Sequence, residues 1–166
     1  MTFLRKPEIL KGIHQINHLR KPSKIQERAL PLLLGEPPQN LITQFESSTD
    51  KIDIFTLNIL HRLDINNPNP QALALTFSRE LARNISLVVQ ERGQFIDGLK
   101  VTAAIPNPNH RGQKLEGHVI VGTPGIVIDR IRRKMLDSRH IKILVLDEAD
   151  YLLGRQLGDL CMKVKE

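Results

Sequence analysis

Ile143-Leu-Val-Leu-Asp-Glu-Ala-Asp150 is an apolar run that stops abruptly in acid. Four consecutive aliphatic residues suit a strand buried on both faces, the kind a parallel sheet requires. Asp147 and Glu148 then stand at the carboxyl end of that strand, where open α/β sheets bind their ligands. Two readings follow. In phosphate-transferring folds the first acid holds Mg²⁺ and the second takes a proton from attacking water. Acids also favour the first turn of any helix, because the helix dipole is positive there.

The segments before this run repeat its logic. Lys100–Ala104 and His118–Val121 are strand-like, and Ala72–Thr76 is a third apolar stretch of strand length. Between them, Ser78–Glu91 carries Leu81, Ile85, Val88 and Val89 at helical spacing, and Pro124–Lys134 opens with the proline a first helical turn tolerates. Lys51–Leu63 reads as a helix, and Asn40–Gln44 before it as a short buried strand. Helices are expected near Glu8–Ile16 and Lys24–Leu33, the second capped by Ser23 with Glu27 in its first turns. Short strands alternating with helices predict an α/β fold with a mostly parallel sheet. The loops that matter are then Phe45–Asp50, Phe77–Ser78, Gly122–Pro124 and Asp147–Asp150.

Composition narrows the function classes. The chain has 166 residues, 24 Lys+Arg against 18 Asp+Glu, a net charge of +6 and 40% apolar content. That is enough for one core, too charged for a membrane protein and too apolar for a disordered tail. No run approaches the roughly 20 apolar residues of a spanning helix, and the first ten residues do not form a secretion signal. A lone Cys161 leaves no intramolecular disulfide and fits a reducing compartment. The positive balance mildly favours a polyanionic partner.

A phosphate loop is sought between the strand expected at Asn40–Gln44 and the helix from Lys51. Phe45-Glu-Ser-Ser-Thr-Asp-Lys-Ile52 lies there. Lys51 stands where a phosphate-binding lysine belongs, but neither glycine nor the following hydroxyl is present. Pro22-Ser-Lys-Ile-Gln26, Ser78-Arg-Glu-Leu-Ala82, Thr123-Pro-Gly125 and Asp147-Glu-Ala-Asp150 complete an ordered series. In this series the chain resembles the first RecA-like domain of DEAD-box RNA helicases, in particular members serving mRNA export at the nuclear pore. Lys21–Leu34, Glu36–Ile42, Val121–Gly125 and His140–Asp150 carry that similarity over essentially the whole chain.

The resemblance implies a three-layer RecA-like (P-loop NTPase) domain, incomplete at its C-terminus. It divides the chain into an N-terminal helical region with the adenine-reading motif, residues 1–39, and a truncated RecA-like domain, residues 40–166. Gln26 takes the adenine-reading place, and Lys51, with Ser48 and Thr49, the phosphate-binding place. Asp147 matches the Mg²⁺ acid and Glu148 the catalytic acid that acts on water. Arg79, Thr123 and Gly125 match positions that grip the RNA backbone. ATP and Mg²⁺ are the implied cofactors, and RNA and a nucleoporin the implied partners. Cytoplasm and nucleus, including the nuclear pore, are the implied locations.

The departures from the family pattern are concentrated. Ser48 and Asp50 replace the two loop glycines, Ile52 the Mg²⁺-binding hydroxyl, and Leu19 the aromatic that stacks on adenine. Phe77 and Ser78 replace a proline and a threonine. Together they point to a pseudoenzyme. Three outcomes stay open: half of an ATP-dependent RNA helicase that still binds nucleotide, a catalytically dead RNA- or nucleoporin-binding module, and a truncated product with no independent role. In the family, the strand carrying a Ser-Ala-Thr motif lies between the phosphate-loop strand and the strand of the two acids, and this chain has no such motif. The isolated chain is therefore expected to aggregate or fold only in part.

Three weaker signals remain. His14 and His18 lie one helical turn apart, and with no third ligand nearby they read as an exposed face. Asn84-Ile-Ser86 matches a glycosylation sequon in mid-helix and is set aside. Arg130, Arg132, Arg133, Lys134, Arg139, His140 and Lys142 form a basic stretch, either a solvated face or a contact for RNA or an acidic partner.

Overall fold

A computed structural model describes residues 6–14, 22–44, 48–106 and 113–154. In chain order the elements are α1 (Pro7–His14), α2 (Lys24–Leu34), α3 (Ser48–Arg62), β1 (Ala72–Leu75), α4 (Arg79–Arg92), β2 (Val101–Ala104), β3 (Val119–Gly122), α5 (Pro124–Arg132), β4 (Ile143–Leu146) and α6 (Ala149–Gly154). The chain divides into two units, one of Met1–Leu63 and Val88–Gly98, the other of Asp64–Leu87 and Leu99–Glu166.

The second unit holds the sheet. Its strands run in the order β2-β3-β1-β4, and all three pairings are parallel. Ala72 stands beside Val119 on one side and Ile143 on the other, so the carboxyl ends of β1, β3 and β4 finish level. Every residue of β1 and β3 is buried, which is why both strands are apolar without alternation. Leu73, Leu75 and Ile120 of the central strands pack with Val127 of α5, Leu136 and Leu152 of α6 into one core. Gly122 ends β3 where a side chain has no room: a Cβ there would lie 2.9 Å from that of Ala104 and 3.1 Å from Val127 Cγ2.

Helix α5 ends in a nested pair of backbone bonds. The Met135 N–H donates to the Arg130 carbonyl at 2.8 Å and the Lys134 N–H to Ile131 at 2.9 Å. Lys134 sits at φ 57°, the left-handed position glycine usually fills in this cap.

The first unit is helical. Ser23 caps α2 in a reciprocal box: its hydroxyl accepts from the Gln26 N–H at 3.4 Å, and Gln26 Oε1 accepts from the Ser23 N–H at 3.1 Å. Arg62, at the end of α3, donates to the Leu33 carbonyl at 2.6 and 3.1 Å and to that of Gly35 at 2.8 Å. A cation there satisfies carbonyls that a helix end leaves without partners. Asp53 of α3 and Arg92 at the end of α4 form an ion pair at 3.0 Å with both side chains buried. Gly12 of α1 lies so close to the Arg92 carbonyl that any Cβ would collide with it.

The strand expected at Asn40–Gln44 does not form. Residues 41–44 are irregular, residues 42–44 are exposed, and Ile42 is 100% exposed. An apolar run becomes a strand only beside another strand that takes its backbone N–H and C=O groups. None of the four described strands pairs with this segment, and water solvates it instead.

Candidate functional site

In the second unit, the loops leaving the parallel strands collect most of the residues singled out above. After β1, Ser78 Oγ accepts from the Leu81 N–H at 3.1 Å and so caps α4. This directs the chain so that Arg79, the first residue of α4, is exposed. With Glu80, Arg83, Asn84, Ile105 and Pro106 it lines an open recess of about 460 Å³. After β3, Thr123 is half-buried in extended backbone ahead of Pro124. Gly125 follows in the first turn of α5, exposed, with no atom within 4 Å of where a Cβ would stand. A ligand can therefore approach the backbone there closely.

After β4, the buried Asp147 donates its N–H to the Leu75 carbonyl at 2.9 Å, extending the ladder to β1 by one residue. Glu148 turns the chain at φ 53°. A non-glycine residue in that region costs about 1–3 kcal/mol and persists where its surroundings fix it. Its carbonyl accepts from the Leu152 N–H at 2.9 Å, which opens α6. The two acids therefore share one sharp turn, the first buried against β1 and the second half-buried.

In the first unit, Gln26 is only 2% exposed and both ends of its side-chain amide are engaged. Oε1 accepts from Ser23 within the capping box, and Nε2 donates to Asp50 Oδ1 at 3.5 Å. Asp50, Lys51 and Ile52 are half-buried in the opening turns of α3. Ser48 and Thr49 begin that helix, but their side chains, like Phe45–Ser47, lie outside the described residues. So do His18, Leu19 and the His14 side chain, and with them the paired-histidine and adenine-stacking positions. Among the described residues no group of three or more His, Cys, Asp or Glu is placed to hold a metal ion. No described helix is long and apolar enough to cross a membrane.

The residues do not fit a triphosphate with its Mg²⁺. Asp147 supplies a suitable acid, but Asp50 places a carboxylate beside Gln26 at the start of α3, in the expected phosphate segment. A like charge at about 4 Å repels by roughly 4 kcal/mol at an effective dielectric of 20. Ile52 has no hydroxyl to offer, and among the described residues no strand precedes α3.

The structure adds an aromatic contact that no sequence spacing signalled. Phe77 and Tyr151 pair at 4.6 Å between ring centroids, tilted by 44°, each about two-fifths exposed. The basic stretch is partly neutralised within itself. Arg133 pairs with Asp129 at 2.7 Å. Hydrogen bonds from the Arg139 side chain, and from its backbone, hold the Asp137 carboxyl well below the usual range, and the same contact raises Arg139. Arg132, Lys134, His140 and Lys142 remain exposed.

A parallel sheet with a buried acid at its carboxyl edge, followed by a second acid in a strained turn, is the architecture of a RecA-like domain. Residues 23–166 match the DEAD/DEAH box helicase family, and the chain belongs to it. Over 159 residues it is 55% identical to the ATP-dependent RNA helicase DBP5 of Phaeosphaeria nodorum, an overlap of 95% of this chain and 34% of that protein. Saccharomyces cerevisiae Dbp5 bound to RNA and ADP BeF3 superposes with a TM-score of 0.92 at 47% identity, covering 99% of this chain and 42% of that one. A variant of the same yeast protein, bound to Nup159, Gle1, IP6 and ADP, superposes at 0.89 with 48% identity, covering 96% and 42%. The chain spans about a third of the length of the curated relative it matches.

Proposed function

We propose that this chain is the RNA-contacting first part of a DEAD-box RNA helicase of the mRNA-export type, in which ATP hydrolysis is impaired. Arg79, Thr123 and Gly125 contact the sugar-phosphate backbone, so binding is independent of sequence and sensitive to salt. Asp147 and Glu148 keep the family's acid pair for Mg²⁺ and water. Gln26, Ser48, Thr49 and Lys51 occupy the adenine and phosphate positions. The partner reading, RNA with a nucleoporin at the nuclear pore between nucleus and cytoplasm, rests on the complexes of the yeast relative.

The observation that carries the loss of hydrolysis is the contact between Gln26 and Asp50. The side chain that should read adenine is instead engaged by the carboxylate standing in place of a loop glycine. Calorimetry with Mg·ATP tests this. The expected dissociation constant is about 1 mM or weaker, and micromolar binding would overturn the reading. Ser48→Gly, Asp50→Gly and Ile52→Thr combined should restore measurable affinity. No gain would place the defect outside the loop.

A further inference from the structure

From Gln71 through β1 to Thr76 every residue is buried, and Phe77 is the first to emerge, 38% exposed. Strand β1 lies between β3 and β4, so Phe77 emerges at the carboxyl end of a central strand. Tyr151 of α6 meets it there, 39% exposed, with the ring centroids 4.6 Å apart and the planes tilted by 44°. A single exposed apolar residue needs no explanation. Two aromatic rings in contact at the ligand edge of a parallel sheet do. The charges beside the pair are sorted by sign. The exposed Arg79 follows Phe77 by two residues, a span of at most about 7 Å. The exposed Asp150 directly precedes Tyr151, and Glu148 lies just before it. A phosphate is therefore drawn to the Arg79 side and repelled from the Tyr151 side, whereas a flat, neutral, aromatic group suits the rings themselves.

We propose that Phe77 and Tyr151 stack on an unpaired base of the RNA strand whose sugar-phosphate backbone Arg79 holds. The inference rests on the reading of Arg79 as a backbone contact and adds a base subsite beside it. One nucleotide matches both parts, its phosphate on the guanidinium and its base on the rings. Every base has a π face, so stacking tightens binding without selecting a sequence. A duplex keeps its bases inside the helical stack, so the site takes single strands, whose bases can be splayed out onto aromatic side chains. Phe77 stands where the family pattern has a proline, so the ring pair is a feature of this chain, separate from the backbone grip.

The full 166-residue chain carries its own reporter, because Tyr151 is its one tyrosine and it has no tryptophan. The test is titration with a single-stranded oligouridylate and with an abasic ribose-phosphate oligomer of the same length. The abasic oligomer should bind through its backbone and leave the tyrosine fluorescence unchanged. The oligouridylate should bind about tenfold tighter and quench that fluorescence. Phe77→Leu keeps an apolar side chain but removes the ring, and should bring the affinity for the oligouridylate down to that for the abasic oligomer. Equal affinities in the unaltered chain, or an advantage for the oligouridylate that survives Phe77→Leu, would overturn the proposal. The comparison of the two oligomers needs no variant, so it decides the matter even where Phe77→Leu fails to fold. Binding of neither oligomer would overturn the RNA reading itself, and the base subsite with it.

Discussion

Asp147 and Lys51 are both functional positions that sequence places just after an apolar run, yet the structure treats the two runs differently. Ile143–Leu146 is hydrogen-bonded to β1 along its length, and the ladder continues into Asp147 itself. The run before Lys51 has no described strand beside it, and Ile42 lies wholly in water. A side chain is held only as precisely as the element that carries it. The acid edge inherits the rigidity of a parallel sheet. No such ladder is described before the start of α3, where Asp50 contacts Gln26.

The largest effect expected of a test is within α3, whose body is anchored by a buried ion pair. Asp53→Ala leaves the Arg92 guanidinium buried without this partner, and should cost about 3–5 kcal/mol in urea unfolding. A loss below about 1 kcal/mol, the value of an exposed pair, would mean that this pair does not anchor α3. The contrast between the two runs is sharpest in a matched pair. Leu73→Ala in β1 should cost about 2–5 kcal/mol, and Ile42→Ala no more than about 0.5 kcal/mol. Comparable losses at the two positions would break the comparison, because they would show Ile42 to be buried in a packed strand. The smallest effect concerns the intact edge. Arg79→Ala should weaken RNA binding equally for all sequences and lower the slope of log affinity against log salt by about one. An unchanged slope would remove Arg79 from the RNA contact.

Much of this was legible from residue order. The helices at Lys24 and Pro124 carry their own start signals, and the structure repeats the first as a side-chain cap, Ser23 on Gln26; the Ser78 cap on Leu81 was not read from the sequence. The reading of Asn40–Gln44 failed because an apolar run records hydrophobicity and length but not whether a partner strand exists. Phe77 and Tyr151 meet across 74 positions, and no local period could announce them. The engagement of Gln26 by Asp50 was equally hidden. Both residues were noted, one as an adenine reader and one as a lost glycine, but their contact depends on how α2 packs against α3.

By itself the sequence determined the parallel α/β class, the order of the elements and the membership of a helicase family, because periodicity, caps and motif spacing are local properties of the chain. The tertiary structure alone decided which apolar runs became strands and where Glu148 turned out of regular backbone. It also decided what the Gln26 amide touches. Each of these depends on a backbone or side-chain group finding a partner far away in sequence, and hydrogen bonds of that kind exist only once the chain has packed.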